Sequence, residues 1–92
     1  MKLILERDIE KKLVNEVKKR GGKVLKQTGE SGIPDRLVLA PLGICAFVEL
    51  KRPGEQPRKL QWQRIKELES LGYVVYIIDS YEEVNHLIRE LF

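Results

Sequence analysis

The sequence predicts an α/β protein whose elements follow the order αβββαβα. Three observations support this prediction: an N-terminal segment with apolar residues four apart, two apolar runs joined by a Pro-x-Gly turn, and an aromatic, β-branched run between two amphipathic segments. The amphipathic segments predict helices and the apolar runs predict strands. A sheet covered by helices is therefore the expected architecture.

The first helix is predicted over about residues 4–20. Apolar residues recur at intervals of four from Leu5 to Val17, and Gly21-Gly22 follows as a stop signal. Residues 23–28 then predict a short strand. The glycine-rich segment 29–32 predicts a flexible loop that can reach a substrate.

Residues 35–40 and 44–51 predict a β-hairpin closed by Pro41-Leu42-Gly43. A three-residue loop favours a type I turn with Pro first and a left-handed Gly third. This turn sets Ala40 opposite Ile44, and that pair defines the register of the whole hairpin.

The same register places two acidic residues side by side, because Asp35 then faces Glu49. Directly opposed side chains have Cβ atoms about 4.5–5.5 Å apart, and like charges there repel each other. We therefore expect a positive group between them. The period of two along a strand puts Lys51 on the face of Glu49. Carboxylates without histidine or thiol neighbours suit a hard cation, Mg²⁺ or Mn²⁺.

Two strands are predicted to be buried. The second hairpin strand has an apolar face from Ile44 to Leu50, so both of its faces should be largely covered. Residues 73–78 are aromatic and β-branched throughout, which is typical of a buried strand. That strand is expected to complete the sheet.

Two further helices are predicted. Pro57 suits the first turn of a helix that ends near Leu71, before Gly72. Ser80 and Glu83 have the spacing of a capping box ahead of an amphipathic C-terminal segment, which predicts the third helix.

Two polar side chains interrupt apolar helix faces. With Leu5 at zero, Glu6 falls at about 100° in the middle of the apolar arc of the first helix, and Glu10 falls at about 140°, nearer its margin. Burial of an unpaired carboxylate is costly, so Glu6 should meet a metal, a cation or hydrogen bonds. The alternative is that Glu6 lies in a frayed first turn, where acids favour the helix dipole. On the second helix, Gln61 occupies the equivalent position. Trp62 at the border of that face is interpreted as packing or a dimer contact, with stacking on a DNA base as the alternative.

Length and composition favour one compact domain over residues 1–92, with 42% hydrophobic residues. A protein this small buries only about 60–65% of its unfolded surface, so a second subunit would add stability. The net charge of +3 fits a polyanionic partner. The one cysteine, Cys45, excludes an intramolecular disulfide and favours a reducing compartment. Since His86 is the one histidine, neither a zinc site nor a histidine general base is expected.

The N-terminal apolar run, residues 1–5, is too short for a signal-peptide core. No apolar run approaches the roughly 20 residues of a membrane span. We therefore expect a soluble, cytoplasmic protein.

The motifs Gly32-Ile33-Pro34-Asp35 and Phe47-Val48-Glu49-Leu50-Lys51, with Glu6 before them and Gln61 after them, resemble the PD-(D/E)XK nucleases. More narrowly, they resemble the VRR-NUC group, the virus-type replication-repair nucleases, in a minimal stand-alone form. The resemblance implies a restriction-endonuclease-like αβββαβ core, with a mixed sheet flanked by helices, plus a C-terminal helix. Family members commonly carry Leu-Ser before the second helix, where this chain has Gln56-Pro57-Arg58-Lys59-Leu60.

The resemblance also implies a divalent metal, Mg²⁺ or Mn²⁺, bound by the two facing carboxylates. We expect the Leu50 carbonyl as a further ligand and Glu6 as a ligand directly or through water, with Glu10 as the alternative helix carboxylate. The catalytic residues so implied are Glu6, Asp35, Glu49, Lys51 and Gln61.

Basic residues near this site are candidates for contacts with DNA phosphates. Such contacts are independent of sequence and sensitive to salt, so they favour recognition of DNA shape. The candidates are Lys26, Arg36, Arg52, Arg58, Lys59 and Arg64.

The expected function is that of a structure-directed DNA endonuclease that leaves 5′-phosphate and 3′-hydroxyl ends. A homodimeric Holliday junction resolvase is the leading hypothesis, because a chain with one site must pair to cut two strands together. The alternatives are a nicking or flap nuclease, a restriction-type enzyme, and a catalytically silent DNA-binding module on the same fold.

Overall fold

A computed structural model describes residues 3–92 of the chain, and the order of its elements is the one the sequence predicts. Met1 and Lys2, where the N-terminal apolar run begins, lie outside the described residues. The elements are α1 (Glu6–Lys19), β1 (Lys23–Lys26), β2 (Arg36–Leu39), β3 (Cys45–Leu50), α2 (Lys59–Ser70), β4 (Val75–Ile78) and α3 (Tyr81–Leu91).

The strands form one mixed sheet in the order β1-β2-β3-β4. The pairs β1–β2 and β2–β3 are antiparallel, and β3–β4 is parallel, with α2 in the connection between them. A parallel pair needs such a crossover, whereas the antiparallel pairs need only turns. The confirmed fold is therefore α/β, with β3 between two neighbours.

Helices α1 and α3 pack on one face of the sheet. The core there joins Leu13 and Val17 of α1 to Val48 of β3 and Leu87 of α3, all fully buried. Glu49 points to the opposite face, since successive side chains of a strand alternate, and there it meets α2. The polar site therefore lies on the α2 side of the sheet.

The predicted register of the hairpin and the left-handed conformation of Gly43 are confirmed, but the predicted type I turn is wrong. Strands β2 and β3 pair Arg36 with Val48, and the Ala40 N–H donates to the Ile44 carbonyl at 2.7 Å. Leu42 has φ 67° and ψ 23°, and the next residue also has positive φ, so this is not a type I turn. Two successive residues with positive φ match the right-handed twist of hairpin strands, and Leu42 is 97% exposed and so free of packing constraints.

Some predicted element boundaries and burials are wrong. Strand β3 begins at Cys45, and Ile44 is 43% exposed beside the turn. Strand β4 is shorter than residues 73–78, and Tyr73 and Val74 are about half exposed, because β4 is an edge strand with one neighbour. Helix α2 begins at Lys59 rather than at Pro57.

The third helix begins at the predicted Ser80 cap, although among residues 3–92 only one of the two hydrogen bonds of the predicted capping box forms. The Ser80 hydroxyl accepts a hydrogen bond from the Glu83 N–H at 3.1 Å, which satisfies one free donor of the first turn. Within residues 3–92, no helix has both the length and the apolar character needed to cross a membrane.

Candidate active site

The end of strand β3 carries buried polar side chains. Glu49 is 3% exposed and Lys51 is 7% exposed, and Gln61, from the first turn of α2, is 8% exposed. Burial of charge is costly unless the charges are paired and hydrogen-bonded. These side chains therefore depend on one another for their partners.

A close network joins them. Lys51 Nζ lies 3.2 Å from Glu49 Oε2 and donates to Gln61 Oε1 at 2.9 Å. Gln61 Nε2 donates to the same Glu49 oxygen at 3.0 Å. Gln61 Oε1 also accepts from the Arg58 N–H at 2.8 Å, so one amide connects the acid and the lysine to the N-terminus of α2.

Asp35 reaches the site because Pro34 interrupts the ladder between β2 and β3. The observed register extends to Asp35 opposite Glu49 and Pro34 opposite Leu50. Pro34 has no N–H to donate to the Leu50 carbonyl. The Leu50 N–H instead donates to Asp35 Oδ1 at 3.1 Å. In a β-strand, the N–H and the carbonyl of one residue point toward the same neighbouring strand. Because the Leu50 N–H points toward Asp35, the Leu50 carbonyl also faces the Asp35 side of β3.

Glu49 is poorly satisfied as an anion. Its Oε1 atom is buried and has no hydrogen-bond partner within the described part of the chain. Burial raises the pKa of the Glu49 carboxyl, the Asp35 charge raises it further, and Lys51 only partly opposes them. Burial therefore raises the pKa of Glu49 more than the repulsion from Asp35 does.

The structure separates the two candidate acids of helix α1. Glu6 is half-buried, and its pKa is raised by burial, by Asp35 and by Glu55, while Lys51 lowers it. Glu6 therefore lies close enough to Asp35 and Lys51 for their charges to shift its pKa. Glu10 is instead bonded to Arg36, whose Nε donates to Glu10 Oε2 at 2.6 Å.

The candidate DNA-binding residues fall into two groups. Arg36 and Arg64 are held by the protein: Arg36 by Glu10, and Arg64 by Glu30 and Glu67 at 3.0 Å each. The others have exposed side chains, although Arg52 lies 3.3 Å from Glu55. The exposed candidates are Lys26, Arg52, Arg58 and Lys59.

Two features of the site were not predicted from the sequence. Glu55 lies in the loop before α2, and its charge contributes to the raised pKa of Glu6. Its only sequence signal is its place in a polar loop that follows the strand. The bond between Glu10 and Arg36 joins residues 26 positions apart, and no sequence pattern indicates it.

The donor groups fit a hard divalent cation. The Asp35 carboxylate and Glu49 Oε1, which has no hydrogen-bond partner in the described part of the chain, are hard oxygen donors. The Leu50 carbonyl faces the Asp35 side of β3. Across residues 3–92, no group of three or more Asp, Glu, His or Cys side chains is arranged to hold a metal ion. Mg²⁺ is usually bound through only one or two carboxylates and keeps several waters, so Asp35 and Glu49 fit such an ion without a third acid.

Comparison with known proteins places the chain in a family. No protein-family model matches it. It is 48% identical over 82 residues to "Putative nuclease p44" of Acyrthosiphon pisum secondary endosymbiont phage 1, covering 87% of this chain and 88% of that protein. It also resembles a solved VRR_NUC domain with a TM-score of 0.83 and 30% identity, covering 95% of this chain and 97% of that one.

Fold and site together define an α/β nuclease domain in which a mixed sheet presents an acidic pair and a lysine. The chain belongs to the VRR-NUC family of nucleases.

Proposed function

We propose that this protein is a metal-dependent, structure-directed DNA endonuclease that hydrolyses phosphodiester bonds as a homodimer, with a Holliday junction as its substrate. The observation that carries the proposal is the buried Glu49 beside Asp35 and Lys51, since one Glu49 oxygen has no hydrogen-bond partner among residues 3–92. A buried acid left in this state is costly, and perturbed pKa values of this kind cluster at functional sites.

Asp35, Glu49 and the Leu50 carbonyl would hold Mg²⁺ or Mn²⁺. When bound, the ion would polarise the scissile phosphate and acidify a water molecule. Asp35 is oriented for this task because its Oδ1 atom accepts from the Leu50 N–H. Glu6 would contribute a ligand directly or through water, and its half-buried position beside Asp35 supports this role.

Lys51 supplies positive charge at the reacting phosphate or orients the attacking water. Its ammonium is held by Glu49 and Gln61, so its position is set before the substrate arrives. Preorganised charge of this kind stabilises a transition state without reorganisation. Hydrolysis would leave 5′-phosphate and 3′-hydroxyl ends.

Contacts with the DNA backbone are assigned to the exposed basic residues of the site. Lys59 and Arg58 lie at the start of α2, close to the buried network through the Arg58 N–H. Lys26 and Arg52 are exposed on neighbouring segments. We place the protein's action in the cytoplasm, where a reduced Cys45 is stable.

Cleavage assays test the proposal. Purified protein is incubated with four-way junction, flap and linear duplex DNA, with Mg²⁺, with Mn²⁺ and with EDTA. We expect metal-dependent cutting with preference for the junction. Glu49→Ala should lower the rate at least about 100-fold, the scale of losing one preorganised catalytic group. The matched control is Glu69→Ala, an exposed acid on α2.

Absence of cutting with either metal, or full activity of Glu49→Ala, would contradict the catalytic proposal. Preferential cutting of flaps, or nicking of linear duplex, would replace the junction as substrate. Sedimentation at the assay concentration tests the dimer, and a monomer alone would exclude it.

A further inference from the structure

Arg36 joins helix α1 to strand β2 beside the proposed metal site. Its Nε donates to Glu10 Oε2 at 2.6 Å, and its Nη2 contacts the same oxygen. Its Nη1 donates to the main-chain carbonyl of Asp35 at 2.9 Å. The Arg36 side chain is 13% exposed and that of Glu10 is 27% exposed, so this pair is partly shielded from water.

The same guanidinium also approaches the carboxylate of Asp35. Arg36 Nη1 lies 3.6 Å from Asp35 Oδ2, and the Leu50 N–H binds the other oxygen, Oδ1. The two oxygens of Asp35 therefore have different neighbours. Their orientation is set from β3 on one side and from Arg36 on the other.

A guanidinium this close to a metal ligand has two opposite effects. It orients the carboxylate, but its positive charge repels a cation that binds the same oxygen. Glu10 reduces the repulsion, since it accepts from Arg36 and neutralises the guanidinium. The bond to Glu10 also keeps Arg36 from turning fully onto Asp35.

We propose that Glu10 and Arg36 form a positioning pair that orients Asp35 and keeps it available to a divalent cation. This inference rests on the metal site of the proposed function and adds a role for each residue. Glu10 acts through Arg36 and is not itself a ligand. Arg36 acts on Asp35 and is not a contact for DNA phosphate.

The test is a Mn²⁺ titration of metal-free protein without DNA, followed by the electron paramagnetic resonance signal of free Mn²⁺. Glu10→Gln leaves the Arg36 charge uncompensated, so the Kd for Mn²⁺ should rise roughly 10-fold, as for other groups that orient metal ligands. The double variant Glu10→Gln with Arg36→Gln removes the repulsive charge but also the group that orients Asp35, so its Kd should lie between those of the parent and Glu10→Gln. Glu16→Gln, on the same helix and paired with Lys19 and Arg20, is the matched control and should bind as the parent does.

Circular dichroism verifies that each variant folds. If Glu10→Gln does not fold, Arg36→Lys takes its place. It keeps the charge but loses the planar fork that holds Glu10 and the Asp35 carbonyl together, so it should also raise the Kd.

The outcomes distinguish failure of the positioning pair from failure of the proposed metal site. A parent protein that binds no Mn²⁺ overturns the metal site and the positioning pair together. A parent that binds, with Glu10→Gln indistinguishable from Glu16→Gln, overturns the pair alone. Weakened DNA binding by Arg36→Gln in EDTA, with unchanged Mn²⁺ affinity, would assign Arg36 to phosphate instead.

Discussion

Glu49 combines two properties that oppose each other in a stable core: it is buried, and one of its oxygens has no partner in residues 3–92. Lys51 and Gln61 both bind the other oxygen. The network therefore holds the side chain in place and leaves Oε1 free. Burial in this arrangement disfavours the charged form of Glu49, so the pKa of its carboxyl is raised.

The raised pKa predicts how the stability of the metal-free protein depends on pH. The folded state holds the Glu49 proton more tightly than the unfolded state, whose carboxyl titrates near 4.5. Binding of this proton therefore stabilises the folded state. The stabilisation is complete below pH 4.5 and is lost as pH rises through the raised pKa of Glu49. Glu49→Gln cannot titrate, so its free energy of unfolding should fall less than the parent's over this window.

Urea denaturation in EDTA, at pH values from about 4 to 8, measures the difference. Glu69→Gln, exposed on α2, should follow the parent curve. Parallel curves for the parent and Glu49→Gln would show that the Glu49 charge is not destabilised by folding.

At the scale of the element, helix α2 is tied to the site through its first turn. Gln61 Oε1 accepts from the Arg58 N–H, which would otherwise be a free donor at the helix start, and from Lys51. The same Gln61 oxygen therefore both caps the start of α2 and holds the Lys51 ammonium in place. The altered entry to this helix, without a Leu-Ser pair, retains that bond.

Substitution of Gln61 should consequently affect both stability and activity. Gln61→Ala should lower the free energy of unfolding by about 1 kcal/mol, the typical value for a lost cap, and should slow cleavage. Gln61→Glu keeps an acceptor for Arg58 and Lys51 but faces Glu49 with a second negative charge, so it should recover stability only in part and remain slow.

Urea denaturation and cleavage rates measured on the same preparations test this coupling. Gln63→Ala, exposed on the same helix, is the control. A Gln61→Ala protein with parent stability and slow cleavage would indicate a role confined to the chemistry.

At the scale of the whole molecule, the net charge of +3 is small, so binding of DNA must depend on where charge is exposed. Arg36 and Arg64 are bonded to acids of the protein, whereas the other candidates, Lys26, Arg52, Arg58 and Lys59, are exposed. Lys59 is exposed at the start of α2, near the buried network.

Salt dependence of binding tests this assignment. Each lost phosphate contact should reduce the slope of log Kd against log salt by about 0.9. Lys59→Ala should show that reduction in EDTA, whereas Lys18→Ala, at the far end of α1, should not. Equal slopes for the two variants would place the DNA elsewhere on the surface.

Much of the fold and part of the site could be predicted because they depend on local rules. The period of two and the hairpin length place Asp35 opposite Glu49, and the observed register agrees. The period of the second helix placed Gln61 on a buried face, and it is buried. The turn at Leu42 was mispredicted, because a preference for turn types does not specify how a strand pair twists.

The order of elements, the register of the hairpin and the acids and lysine at its end all follow from local sequence patterns. The exposed edge of β4, the shared oxygen of Gln61 and the bond between Glu10 and Arg36 appear only in the tertiary structure. The reason is physical. Periodicity and turn geometry act between neighbours in the chain, whereas burial and charge pairing depend on which distant segments the fold brings together.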